Sequence, residues 1–470
     1  MKTTVLGRAG LLVLLAGQLL PMIDFSIVNV ALEAMAHTLH ATPLQLELIV
    51  AVYGIAFAVC LAMGGRAGDN FGRRRVFTLG VLLFALASLL CGMANSVWLM
   101  LLARGLQGIG AALVVPQVLA TLHVCLQGRA HARAIGLYGG IGGLAFIVGQ
   151  VLGGFLIGAD IGGYGWRSVF LINIPICLVV LLLVQRYVPE TRNTQRVSID
   201  LAGTSLLAAS IASLMIALSL GPLLHWSWPC LLLLLLFPLL LQRLWRVEQQ
   251  LEARHGAPLL SPALLRLPSV NFAIGIALLF FSSWSGFMFA VALTLQSGIG
   301  LTAFQSGNAF IALGVAYFLG SLLTTRMAER YGRLTMLLSG CAIQMSGLVW
   351  LMLTFHFAWG NIAIVTLIPS TALIGFGQSF IVSCFYRIGL AEVPKCQAGS
   401  GSAMLSTVQQ AALGLGPMLS GSIFSQVLLH KANYQQAIIA ALLAEWLIML
   451  LLVVRALLVR RQLLPQPGNR

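Results

Sequence analysis

The sequence predicts an all-α membrane protein of fourteen transmembrane helices, built as two six-helix halves with two further helices inserted between them. Three observations predict it. Residues of the AVILMFWYC set make up 59% of the 470 and charged residues only 8%, against about 45–50% and about 25% in soluble domains, so too few charges exist to cover a water-exposed surface. Fourteen apolar stretches are long enough to span a bilayer. The basic residues alternate between the segments that join them. Together these exclude a soluble enzyme, a nucleic-acid-binding domain and a disordered chain.

The stretches fall at 10–34, 45–65, 76–96, 98–122, 133–158, 168–188, 200–220, 228–245, 270–296, 304–325, 334–355, 361–385, 398–428 and 434–458. About 20 apolar residues cross the roughly 30 Å hydrocarbon layer as a helix. Lipid offers backbone groups no partners, which demands helices, and no barrel-type alternation is present. The first run follows Lys2 and Arg8 like a signal peptide, but it continues past Asp24 to Ala34 and is expected to be a retained span. The longest loop, 246–269 with Glu248, Glu252 and Arg254, is expected to carry a short surface helix.

An even count puts both termini on one side. If that side is cytoplasmic, 24 of the 27 Lys/Arg face the cytoplasm, two face outward, and Arg104 lies inside a span. This positive-inside asymmetry explains the net charge of +15 without nucleic acid. The eight cysteines are scattered without a CxxC or a Cys/His cluster, so neither a disulfide framework nor a metal site is signalled.

The halves repeat. Gly65-Arg-Ala-Gly68-Asp69-Asn-Phe-Gly72-Arg73-Arg74-Arg75 follows span 2, and Thr325-Arg326-Met-Ala-Glu329-Arg330-Tyr-Gly332-Arg333 follows span 10. Gly149-Gln150-Val-Leu-Gly153-Gly154 in span 5 is echoed by Gly416-Pro417-Met-Leu-Ser420-Gly421 in span 13. The expected division is an N-terminal half at 1–190, an inserted helix pair with its linker at 191–268, and a C-terminal half at 269–470.

With these residues in view, the chain resembles the major facilitator superfamily, and within it the fourteen-span drug:proton antiporter branch. The 65–75 loop resembles the superfamily motif between spans 2 and 3. Ile23-Asp24-Phe-Ser-Ile-Val28-Asn29-Val-Ala-Leu32 resembles the branch's first-helix motif. Leu101-Leu-Ala-Arg104-Gly-Leu-Gln107-Gly108 resembles the motif with an intramembrane arginine, and Trp166-Arg167-Ser-Val-Phe170-Leu-Ile-Asn173-Ile-Pro175 the start of span 6. The chain departs from the pattern at Gln150, where the antiporter motif has proline, and at Glu33, where the first-helix motif has proline. It also carries no acid in spans 9–13, where many branch members have one.

The intramembrane polar residues are the candidate site. A carboxylate or guanidinium at mid-membrane is costly unless protonated or paired, and is functional by default. Asp24 is therefore the candidate carrier of protons and of substrate charge. Arg104, which the resemblance associates with proton coupling, is expected to find carbonyls, polar groups or a carboxylate, with Gln107 on a similar face. At 100° per residue, Gln18, Ser26, Asn29 and Glu33 fall within about 80° of one another and Asp24 about 120° away. Asp24 then sits at a cavity edge, or the helix bends at Pro21. Gln150 is expected to line the pathway or to bond across an interface.

Glu445, in the last span, which the resemblance implies is peripheral, is expected to bond a neighbouring helix or lipid headgroups. Glu33 and Glu47, at span ends, are expected to be solvated at an outer mouth. Aromatic residues including Tyr53 and Trp284 suit planar hydrophobic cations, although most face lipid or core. Gly65, Asp69, Gly72 and Arg73, with their copies Glu329 and Arg333, are read as conformational latches, in which Asp69 caps a neighbouring helix and pairs with arginine. Glycine density in spans 5 and 13 lets helices cross closely and slide, and the resemblance implies that Gly149, Gly153, Gly416 and Pro417 shape a gate where these spans meet the opposite half.

The expected protein is thus not an enzyme, since no catalytic or nucleotide-binding motif occurs. It is a monomeric secondary transporter of a bacterial inner membrane with both termini cytoplasmic, driven by the proton gradient and needing no metal or other cofactor. Its expected partners are small hydrophobic molecules, protons and the lipid bilayer. It is expected to export amphipathic, cationic drugs. The alternatives are export of one endogenous metabolite or organic anion and, more remotely, a non-transporting membrane sensor.

Overall fold

The computed structural model describes residues 6–192, 200–222, 224–254, 256, 258–394, 397–431 and 433–463. Lys2 of the expected signal-like start lies outside them. The long helices are α1 (Arg8–Leu39), α2 (Pro43–Phe71), α3 (Arg73–Gly92), α4 (Val97–Cys125), α5 (Gly128–Ala159), α6 (Gly165–Tyr187) and α7 (Leu201–Leu220). They continue as α8 (Trp228–Ala253), α9 (Pro268–Gly298), α10 (Ala303–Asn308 continued by Ile311–Tyr331), α11 (Arg333–Phe357), α12 (Ile364–Gly389), α13 (Ala398–Lys431) and α14 (Tyr434–Leu463). Among the described residues, thirteen helices are long and apolar enough to cross a membrane. The fifth expected span falls on α5, a 32-residue helix whose counted apolar part is Ile147–Ala159.

Local chemistry sets the boundaries. Thr42 and Gln45 close a capping box ahead of α2, with Pro43 at its first position. Ser96 caps α4 and Asp200 caps α7. Gly72 (φ +106°) separates α2 from α3, and Gly332 (φ +85°) separates α10 from α11. Both conformations are open to glycine at little cost. One device therefore makes the same sharp turn in both halves, which is the internal repeat expressed in backbone.

The packing repeats as well. In the first half α2 and α3 lie on α4, α1 on α5 and α3 on α6. In the second half α10 and α11 lie on α12, α9 on α13 and α11 on α14. The halves meet where α2 meets α13, α5 meets α10 and α1 meets α9. The arginine-bearing turns, with Arg66, Arg73, Arg129, Arg186, Arg333 and Arg387, all lie at one end of the bundle, here called the basic end.

Between the halves in sequence, α7 and α8 pair with each other, and α7 lies on α2 and α13. Leu207 and Ile211 of α7 join Ala58 of α2 with Ala411 and Leu415 of α13 in one small apolar cluster. The opposite face of α8, with Leu231, Leu232, Leu235 and Leu239, is exposed, as a lipid-facing helix should be. One expectation is corrected here. The helix α8 runs through the first part of the expected 246–269 loop to Ala253, because 242–253 is rich in helix-forming Gln, Arg, Leu and Glu.

That polar extension, beyond the apolar stretch, positions an acid. Glu248 and the capping carboxylate of Asp200 converge on Gly203, where a Cβ would lie 2.5 Å from Glu248 Oε1 and 2.2 Å from Asp200 Oδ2. Arg66 of α2 reaches the same linker, donating to Pro258 O at 2.8 Å. Burial, and next the charge of Asp200, push the Glu248 carboxyl up to about 8. A carboxyl held above its ordinary range binds a proton in the folded protein that the unfolded chain has released. Its contribution is then intact below the ordinary carboxylate range and is lost as pH rises towards about 8. Glu248→Gln should therefore raise the thermal midpoint of the purified protein at pH 8.5 by roughly 2 °C, and leave it unchanged at pH 4. A gain of equal size at both pH values would contradict the assignment.

Candidate functional site

The polar residues expected inside the membrane do converge, and they converge inside the first half. Asp24 of α1 is fully buried and accepts three side-chain hydrogen bonds: from Arg104 Nη1 of α4, from Gln107 Nε2 at 2.7 Å and from Asn173 Nδ2 of α6 at 2.9 Å. Arg104 is equally buried. Its Nη1 also donates to Gln107 Oε1 at 2.7 Å, and its Nε donates to the Ile49 carbonyl of α2 at 3.1 Å. The guanidinium carbon lies 4.2 Å from the Tyr53 ring centre, and Nη2 has no hydrogen-bond partner among the described residues. Ser88 of α3 accepts from Gln107 at 2.9 Å and from Asn173 at 3.3 Å. Five helices thus contribute to one charge-neutral network, and each charge is met by the other. This is the condition for keeping an ion pair out of water.

The helical-wheel conflict in α1 resolves as a separation. The helix is continuous through Pro21, so the two faces stay apart, and Asp24 points into its own half rather than to a cavity edge. On the other side of α1, Gln18 donates to the Tyr138 carbonyl of α5 at 3.2 Å. Asn29 and Ser26 bond only the backbone of their own helix among the described residues. Tyr53 is not a free aromatic face. Its ring lies beneath Arg104 and its hydroxyl donates to the Pro21 carbonyl at 2.8 Å. Trp284 is buried in an aromatic group of the second half, stacked on Tyr317 with Phe280 and Phe281 beside it. Gln150 bridges the halves, its Nε2 lying 3.6 Å from Met288 Sδ of α9.

The acids at span ends divide. Glu33 accepts from Ser297 of α9 and is paired with His37 at 3.0 Å. Glu47 is not solvated, contrary to expectation: it is 3% exposed and accepts from Ser425 of α13 at 3.3 Å. Close packing of α2 on α13 covers it. Glu445 of α14 is buried against Ser283 of α9.

In the loop between α2 and α3, Asp69 pairs with Arg73 at 2.6 Å. The cap on α3 comes from elsewhere. Glu190, just beyond α6, accepts from the backbone of Arg74 at 3.0 Å and of Arg75 at 3.3 Å, and Arg73 N donates to the Thr191 carbonyl at 2.8 Å. Glu190 takes the position that a side chain at Gly72 would need, and Gly65 lies opposite Pro116. In the second half, Arg333 Nη1 donates to the Arg387 carbonyl at 2.7 Å, and Glu329 is exposed.

The expected gate glycines lie mainly within halves, not across them. A Cβ on Gly149 would meet Ser26 Oγ and the Ile23 carbonyl of α1, one on Gly153 would meet Ile27, and one on Gly416 would meet Ser285 Oγ and the Ser282 carbonyl of α9. Pro417 lies within α13. Glycines that bring the two halves together include Gly154 with Gly307, Gly54 with Gly414, Gly314 against Ile147 and Gly421 against Glu47.

Asn173, Ser88 and Glu190 were not singled out as site residues. Asn173 had a signal, since it is an amide inside the apolar run of span 6. Ser88 and Glu190 had none beyond residue type.

The sequence matches the Major Facilitator Superfamily over residues 14–417 and again over 272–468. It is similar to the "Probable actinorhodin transporter" of Streptomyces coelicolor, with 32% identity over 90% of this chain and 74% of that protein. It is also similar to a multidrug resistance protein of Mycobacterium tuberculosis, with 28% identity over 89% of this chain and 77% of that one. Among solved structures it resembles an auto-inhibited POT family peptide transporter, with a TM-score of 0.68, 15% identity and 98% of each chain covered. That likeness is one of fold.

The ion pair yields a stability test. Asp24→Leu or Arg104→Met alone leaves one charge buried without its partner and should lower stability by about 3–5 kcal/mol, whereas the double substitution Asp24→Leu/Arg104→Met should recover most of the loss. Thermal midpoints of the four purified proteins read the coupling directly. Additive losses would show that the two charges do not depend on each other.

Proposed function

The chain belongs to the major facilitator superfamily, and from that premise we propose that it exports amphipathic, cationic compounds from the cytoplasm in exchange for protons. The observation that carries this reading is the buried Asp24–Arg104 pair with its amide partners Gln107 and Asn173. Asp24 has two ways to be neutralised, by Arg104 or by a proton. When a proton takes the carboxylate, the guanidinium loses its counter-ion and its remaining holds are Gln107, the Ile49 carbonyl and the Tyr53 ring. Two of these belong to α2, and α2 is a contact of the first half with the second. A change of charge at Asp24 therefore bears on the relation between halves, as alternating access requires.

The basic end is assigned to the cytoplasm of a bacterial inner membrane by the positive-inside rule, and the transporter is taken to work as a monomer. Asp69 with Arg73, and Arg333 on the Arg387 carbonyl, serve as latches at that end. The naming of a relative for multidrug resistance supports a broad substrate range.

A second reading, export of one metabolite or anion, is favoured by the relative named for a single compound and by the absence of Asp and Glu from the stretches 270–296, 304–325, 334–355, 361–385 and 398–428. Everted membrane vesicles carrying an imposed pH gradient separate the two. Several unrelated lipophilic cations should each release protons, read by a pH-sensitive dye. Asp24→Asn should reduce the response at least tenfold while purifying as a monodisperse protein. A response to one anion or metabolite alone would establish the second reading. Full pH-dependent export by Asp24→Asn would remove Asp24 from the mechanism.

A further inference from the structure

The contacts between halves gather away from the basic end. There, α5 meets α10 with Gly154 against the Ala303 carbonyl and Gly307 against the Gln150 carbonyl, and with Ile147 seated on Gly314. Where α1 meets α9, Ser297 also donates to Glu33, a partly exposed acid that has His37 beside it. The α2–α13 contact differs. At Gly54 and Gly414 the two helices touch backbone to backbone. Towards the end of the bundle, the side chain of Glu47 lies flat on Gly421, where a Cβ would come within 2.4 Å of its Oε1. Among the described residues, its one hydrogen bond is from Ser425, across the contact, at 3.3 Å. Among the described residues, no charged group of α1, α4, α7 or α13 acts on it; the only side chain that does is Ser425.

Asp24 and Glu47 are therefore opposite cases. Asp24 is buried with a permanent counter-ion. Glu47 is buried at a contact that alternating access must break, with one neutral donor and no counter-ion. An ionised carboxylate there would be a lone charge shut away from water, at a cost of several kcal/mol. When the helices part, water reaches the carboxyl and removes that cost. Parting of α2 from α13 and loss of a proton from Glu47 are then two sides of one equilibrium.

We propose that Glu47 is the gating acid of the α2–α13 contact: its protonated carboxyl seals the two halves at the end away from the basic loops, and release of that proton accompanies their parting. The inference rests on the transport reading, because it requires that this end open and close. The proton is exchanged with water on the side to which that end opens, so Glu47 is a second proton-handling position beside Asp24. Gly421 is part of the device, since any side chain there would displace the carboxyl.

The test measures the opening directly. Spin labels at Ala41 and Leu429, on the α2 and α13 sides, are placed in a variant lacking its native cysteines and reconstituted in lipid nanodiscs. Their separation is read by pulsed electron resonance at pH 5.5 and pH 8.5. The parent protein should show one short distance at pH 5.5 and gain a longer-distance population at pH 8.5. Glu47→Gln, isosteric and uncharged, should keep the short distance at both. Ser425→Ala, which removes a bond made only while the contact is closed, should favour opening and move it to lower pH. Opening of Glu47→Gln with the parent's pH dependence overturns the proposal, as does a parent distance that does not change with pH.

Substrate exchange in vesicles, measured in parallel without a gradient, keeps the two readings apart. If the parent exchanges substrate while Glu47→Gln opens like the parent, the gate assignment falls and transport stands. If distances behave as expected but no cation is exchanged, the gate stands and the substrate reading falls.

Discussion

A charge buried in lipid must be met by another, and in this fold the meeting of Asp24 with Arg104 fixes much of the first half. The pair draws α1 and α4 together, and its amide partners bring in α6 and, through Ser88, α3. The guanidinium holds the backbone of α2 at Ile49, and Tyr53, under that guanidinium, ties α2 to α1 at Pro21. Apolar contact alone would let these helices rotate, because lipid tails are as apolar as leucine. A network of directed bonds around one carboxylate does not. The rotation of α1 is set by it, and with it the face on which Gln18 and Ser26 look the other way, towards α5.

The same logic explains where glycine is spent. Gly149 against Ile23 and Ser26 in one half, and Gly416 against Ser282 and Ser285 in the other, are the same contact repeated. They let α5 lie on α1, and α13 on α9, at backbone distance. Such contacts maximise dispersion contact and make each half a stiff unit. A rocking transporter needs stiff halves and a contact between them that can separate. The glycines of spans 5 and 13 serve both needs: Gly149, Gly153 and Gly416 stiffen a half, while Gly154, Gly414 and Gly421 lie against the opposite half. The separable contact rests on Gly154 with Gly307, Gly54 with Gly414, and glycines such as Gly314 and Gly421 that receive side chains from the other half.

Much of this was legible in the residues. Composition, the spacing of apolar runs and the alternation of arginines gave a helical membrane protein, and two short echoes gave its internal repeat. Asp24, Arg104 and Gln107 stood out because polar side chains inside apolar runs need a reason. Their pairing did not, because partners 80 and 149 residues apart meet only once helix rotations are set. Glu47 was misread for a related reason. At the second turn of a span, position alone predicts solvation, and only the seating of α13 on α2 buries it. Glu190 was invisible, since a capping carboxylate supplied from another helix leaves no local pattern around Gly72. The inserted pair was legible as helices, but the length of α8 was not, because a polar helix extension looks like a loop when only hydropathy is followed.

The two buried acids of the first half are joined by a short physical path. Arg104 bonds Asp24 and also the Ile49 carbonyl, and Ile49 is two residues from Glu47, which bonds Ser425 of the opposite half. The path runs along one rigid turn of α2, so the guanidinium cannot shift without moving the segment that carries the α2–α13 contact. Coupling of this kind needs two arrangements at each end rather than a gradual strain. Both ends have them: Asp24 is matched by arginine or by a proton, and Glu47 is sealed as an acid or solvated as an anion. An ion-coupled exporter must forbid the states in which its proton and its gate disagree. A single helical turn, held by an arginine on one side and closing on a carboxyl on the other, is a sufficient physical means of doing so.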